Sequence, residues 1–169
     1  LVLEWHVIGM FAPGFFTGHL IKRFGVLAVM GVGVLLNAAC VAVALAGVEI
    51  AHFTVALTLL GVGWNFLFTG STTLAMQAYR PAEKDRAQAA INFGVFATMA
   101  FTSFASGALV TTQGWALLNL GSLLPVALTA LGLAWLGWLR RNPWLLLTSL
   151  TESLLAFLCA GFFLWWLGV

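Results

Sequence analysis

Charge is the scarcest property of this chain. Of 169 residues only 7% are Asp, Glu, Lys or Arg, while 62% are hydrophobic; a soluble domain has about 25% charged and about 45–50% apolar residues. Twelve charged side chains cannot coat a water-exposed surface of this size, which excludes a soluble globule. A net charge of +2 is too small to hold nucleic acid. Cysteine is nearly absent as well. Cys40 and Cys159 each lie inside an apolar run, so there is neither a disulfide framework nor a zinc-ligand spacing. H-E-x-x-H and C-x-x-C do not occur, and Ser71 stands in Gly70-Ser71-Thr72 rather than in G-x-S-x-G. No metal, no cofactor and no catalytic residues are therefore expected, and the chain is not read as an enzyme. It opens at Leu1 without Met or a basic leader and is read as a fragment.

What is present is apolar length. A span needs roughly 20 mostly apolar residues, about 30 Å at 1.5 Å per residue. Six runs meet this: Trp5–Ile21, Val26–Val48, Phe53–Gln77, Ala87–Thr112, Ala116–Leu139 and Trp144–Gly168. Their length and lack of strict alternation exclude barrel strands. The expected fold is all-α, a polytopic transmembrane bundle of about five to six helices, antiparallel because the connections are short. The bilayer is its first partner. Residues 1–141 form a five-span bundle in this reading, and residues 142–169 an additional hydrophobic segment in which Glu152 is costly in lipid.

All seven basic residues obey one orientation. Lys22 and Arg23 follow the first run, Arg80, Lys84 and Arg86 the third, and Arg140 and Arg141 the fifth; the alternate connections carry none. Basic loops stay cytoplasmic, so the chain starts outside, in what is expected to be a bacterial inner membrane. The aromatic belt agrees: Trp5, Trp115, Trp165 and Trp166 fall at the outer edge, and Tyr79, Trp138 and Trp144 at the inner edge. His6, His19 and His52 sit near the edges and are expected to be solvated.

The first cytoplasmic turn reads Gly18-His19-Leu20-Ile21-Lys22-Arg23-Phe24-Gly25. It resembles the G-x-L-x-D-R-x-G loop of the major facilitator superfamily (MFS) of secondary transporters, with Lys22 where the family's stronger copy has Asp. Pro81, Arg86 and Ala89 look like the family's short basic loop before the next helix. The resemblance runs from Trp5 to Arg141. The departure at Lys22, the missing G-P-x-x-G-G in the fourth run and the short Arg140-Arg141-Asn142-Pro143 connection all favour the second half. The resemblance thus implies helices eight to twelve, a missing N-terminal half as partner, and alternating-access transport of a small solute.

Solute sites in such transporters lie near the midplane. In the third run Gly61, Asn65, Thr69, Thr72 and Thr73 share one helical face, with Trp64 beside them. In the fourth, Asn92, Met99, Ser103 and Ser106 form a second stripe, bordered by Thr102. Trp64, Asn65, Thr69, Thr72, Asn92 and Ser103 are the candidate substrate-binding residues. For any single Thr or Ser, interhelical hydrogen bonding is the plainer role. That leaves a rival function, a membrane scaffold or assembly protein without transport. Gly14 and Gly18 form a G-x-x-x-G after Pro13, which bends the first span and presents a face to the missing half. From Trp5 to Leu139 no carboxylate lies within a run, so a coupling carboxylate belongs elsewhere or transport is uncoupled. Gly18, Lys22, Arg23, Gly25, Glu83, Asp85 and Arg86 make up the candidate cytoplasmic gate, with Lys22 or Arg23 pairing with Glu83 or Asp85.

The orientation has a direct test. On a background lacking Cys40 and Cys159, Lys84→Cys and Arg140→Cys resist an impermeant thiol reagent in intact cells, whereas Glu49→Cys reacts. Labelling at position 84 inverts the topology.

Overall fold

Lipid offers no hydrogen bonds, so an apolar run must satisfy its own backbone, and the helix does this within one segment. The computed structural model describes residues 2–141, and every element in it is helical. Helix α1 covers Val2–Phe11, α2 Gly14–Phe24, α3 Val26–Ala46 and α4 Ile50–Ala78; a single 3₁₀ turn, Pro81–Glu83, leads into α5, Lys84–Arg141. The sixth expected run, Trp144–Gly168, lies outside the described residues.

Among the described residues four segments are long and apolar enough to cross a membrane: Val26–Ala46, Ile50–Ala78, Pro81–Thr112 and Gly114–Arg141. The last two are the arms of α5, separated by Gly114, whose φ of 83° and ψ of 174° interrupt the helix. The first expected run is a different case. It is two helices of 10 and 11 residues rather than one bent span, each only about 15–17 Å long. Pro13 is the cause, since it has no N–H to give the carbonyl four residues back. Phe16 and Thr17 restart the ladder by donating to the Pro13 carbonyl, both at 2.8 Å.

Helices α3 and α4 form the central pair, with α1 and α2 against α4 and the second arm of α5 against α3. At one end Val26, Met30, Val34, Leu67, Leu74, Leu133, Leu136 and Leu139 build a core. Cys40, Ala44, Ala56 and Leu60 build another at the opposite end, with Trp115 packed on it. The Trp115 indole donates to the Ala44 carbonyl at 3.1 Å and meets Phe53 edge to face, centroids 5.3 Å apart. At the first end Arg140 donates to the Gln77 side chain at 3.2 Å. Leu139 shares a core with Val26 and Leu74, so the end of α5 returns to where α3 begins and α4 finishes. All seven basic residues therefore gather at one end of the bundle.

Helix α4 is approached closely on two sides. A Cβ on Gly61 would meet the His6 carbonyl and stand 3.0 Å from the Gly9 backbone, and one on Gly63 would meet the Asn37 side chain and stand 3.0 Å from the Gly33 carbonyl. Both crossings put backbone on backbone, where only Gly fits. Gly61→Ala is expected to cost about 1–3 kcal/mol by overpacking and to lower the thermal midpoint in detergent, read by fluorescence-detected gel filtration. Gly31→Ala, with nothing within 4 Å, leaves it unchanged.

Candidate functional site

The middle of α4 lies against the break between α1 and α2. Asn65 is only 6% exposed, and both ends of its amide are engaged. Its Nδ2 donates to the Met10 carbonyl at 2.7 Å, in the last turn of α1. Its Oδ1 accepts from the Thr17 hydroxyl of α2 at 2.5 Å. Thr17 is fully buried, and its Oγ1 also lies 2.8 Å from the Pro13 carbonyl. One hydroxyl proton thus faces two acceptors. Gly14 makes room for this arrangement, since a Cβ there would stand 3.3 Å from the Asn65 nitrogen.

Trp64, one residue earlier, turns away from that cluster into an aromatic group. Its ring stacks on Phe68, centroids 4.7 Å apart and 8° from parallel, and meets Phe11 edge to face at 6.4 Å. The indole Nε1 is buried and has no hydrogen-bond partner. Phe68 is 40% and Phe11 63% exposed, so the cluster opens toward the outside of α1 and α4. It offers flat apolar surface with one unspent donor behind it.

The other stripe residues are placed differently. The Thr72 hydroxyl donates to the Phe68 carbonyl at 2.8 Å, and the half-buried Thr69 gives its own carbonyl to the Thr73 hydroxyl at 2.7 Å. Such back-bonding meets the needs of these hydroxyls within α4. Asn92 and Ser103 are exposed on the first arm of α5, outside the buried Asn65 cluster. The candidate gate residues lie at the basic end. Lys22 and Arg23 are exposed in the last turn of α2, and the Arg23 guanidinium lies 5.4 Å from the centre of the Phe24 ring. Gly25 turns the chain into α3 with φ 87°, a conformation natural to Gly alone, and its N–H donates to Ile21. The Glu83 carboxylate accepts from the Arg80 backbone N–H at 3.5 Å, and Asp85 and Arg86 are exposed at the start of α5. Gly18 is exposed with open space where a Cβ would go.

Two participants escaped the sequence reading. Thr17 was not singled out, although a Thr four residues after a mid-run Pro is its signature. His6, expected to be solvated, is half-buried and bonds through Nδ1 to the Leu57 carbonyl at 2.8 Å, tying α1 to α4 beside Gly61. Among the described residues no group of three His, Cys, Asp or Glu is placed to hold a metal ion.

Apolar spans, glycine crossings and a helix broken inside the bundle define an integral membrane protein of the helical, multi-span class. The riboflavin transporter RfnT of Brucella anthropi is 44% identical over 119 residues, which is 70% of this chain and 30% of that protein. Two uncharacterized MFS-type transporters of Bacillus subtilis, YdeG and YddS, are each 29% identical over 122 residues, 71% of this chain and 28% of theirs. The chain is similar to these transporters, two of them named as MFS-type, and spans under a third of the length of these curated relatives. No family model and no solved structure matches it.

Proposed function

We propose that the chain is the C-terminal portion of a secondary or facilitative transporter that moves a small solute by alternating access across a bacterial cytoplasmic membrane. The observation that carries this reading is the 44% identity to a protein named as a riboflavin transporter. The one-ended placement of the basic residues supports the membrane orientation. The missing N-terminal half supplies the facing wall of the path, together with any carboxylate that couples transport to an ion.

The solute in this reading is a flavin or a similarly flat heteroaromatic molecule. Trp64, with Phe68 and Phe11, provides the stacking surface. Thr69, Thr72, Asn92 and Ser103 stay in the proposal as the polar border of the path. The full-length transporter, expressed in cells unable to make riboflavin, is expected to restore uptake of labelled riboflavin. Trp64→Ala raises KM about three- to tenfold, the worth of one aromatic contact, while Trp64→Phe keeps most of the affinity. Absence of uptake above the empty-vector control overturns the flavin reading.

The cytoplasmic gate in this reading is an ion pair between Lys22 or Arg23 and Glu83 or Asp85 in the inward-closed state. Exposed pairs are worth at most about 1 kcal/mol, yet that shifts a balanced equilibrium several-fold. Lys22→Glu and Asp85→Lys each increase cytoplasmic accessibility of a cavity cysteine, and the double reversal restores it. Strictly additive effects, here and in the matching Glu83 cycle, exclude the latch.

A further inference from the structure

The break at Pro13 is held from across the bundle by side chains that the transport reading leaves without a role. We propose that Asn65 and Thr17 are positioning residues of the transport cycle, α4 fixing the angle of the break in one state and the Thr17 hydroxyl changing acceptor as that angle changes. This rests on the transport reading above, which it deepens.

Three observations support it. First, the Asn65 amide spans the break. It donates to Met10 on the α1 side and accepts from Thr17 on the α2 side, so the two short helices share one clamp. Second, the clamp is buried, with Thr17 0% and Asn65 6% exposed, and each group has a single chemical option on the Asn65 side: the amide nitrogen can only donate, its oxygen only accept. Third, the Thr17 hydroxyl has an alternative already in reach. The Pro13 carbonyl lies 2.8 Å from its oxygen, so the proton has an acceptor whether or not α2 stays against Asn65. Opening the break therefore leaves no buried donor stranded, which lowers the cost of the second state. Pro13 supplies the weak point, having no N–H with which to continue the helix. The Gly9 and Gly61 crossing keeps α1 seated on α4, so the motion falls to α2. That helix carries Gly18, Lys22 and Arg23 to the cytoplasmic end.

A residue that touches solute and a residue that sets a helix angle leave different kinetic signatures. In the full-length transporter, Thr17→Val and Asn65→Ala are each expected to lower the maximal rate of riboflavin uptake about three- to tenfold, the worth of one hydrogen bond in a membrane interior. KM stays within about twofold under the same reasoning, the double variant is no slower than the slower single, and Thr17→Ser restores the rate. A second readout needs no uptake. With Cys40 and Cys159 replaced, Gly18→Cys reports the position of α2 through its alkylation rate by N-ethylmaleimide in membranes. Thr17→Val shifts that rate at least about threefold, by the same hydrogen-bond worth, and Thr17→Ser returns it. An unchanged alkylation rate in Thr17→Val, additive losses in the double variant, or an Asn65→Ala defect confined to KM overturns the proposal. Wild-type protein that carries no riboflavin defeats the flavin reading alone, and the alkylation rates still decide whether the clamp sets the angle of α2. Folded yield by gel filtration normalises every rate, and the near-isosteric Thr17→Val serves where Asn65→Ala folds poorly.

Discussion

Carbonyls left at a helix break inside a bilayer have no water to turn to, and this chain creates such a break by placing Pro13 inside its first apolar run. The response is organised around α4. Asn65 reaches Met10 on one side of the break and Thr17 on the other, while His6 bonds Leu57 a few turns away. Each of these contacts requires the α1 and α4 backbones to lie close together. Gly9 and Gly61 allow that approach, so the glycine crossing and the polar clamp depend on one another. Without the crossing the amide could not reach Met10.

The same logic places the rest of the bundle. In lipid there is little hydrophobic gain from helix contact, so association rests on close packing and a few internal hydrogen bonds. Helix α4 uses its Gly63 edge for α3, where Asn37 and Gly33 press on the backbone, and its Gly61 edge for α1. The two edges lie on opposite sides of the helix, two residues being a rotation of about 200°. With both taken, Trp64 and Phe68 occupy the strip between them and remain partly uncovered. Packing demands on either side thus decide where an aromatic surface is left available.

Much of this was legible in the sequence, for reasons that differ from residue to residue. Charge placement announces its own topology, because each of the seven basic residues is costly anywhere but at a membrane face. Val26–Ala46 and Ile50–Ala78 follow from apolar length, whereas Pro13 announced a bend and not the division of the run into two short helices. The partner of Asn65 was not legible. It is a backbone carbonyl 55 residues away, and a carbonyl has no sequence signature. The threonines were ambiguous for a different reason. Period 3.6 puts Thr69, Thr72 and Thr73 on a face with Asn65, but a hydroxyl that bonds the carbonyl four residues back has the same periodicity as one aimed at a solute. His6 was misjudged because edge placement was taken to mean solvation, whereas a carbonyl on α4 lay within reach.

The first arm of α5 shows the pressure that remains on the described part of the chain. Phe93, Phe96, Phe101 and Phe104 are 68–80% exposed; Phe93, Phe101 and Phe104 cluster on one side of the arm, while Phe96 shares a face with the exposed Asn92 and Ser103 that is turned from them by roughly a third of a turn. Phenylalanine suits acyl chains. An amide and a hydroxyl do not. Polar groups at this depth belong against protein or water. The chain spans only 28–30% of the length of its curated relatives. The two faces of the arm therefore make unequal demands, acyl chains suiting Phe93, Phe101 and Phe104, and protein or water suiting Asn92 and Ser103.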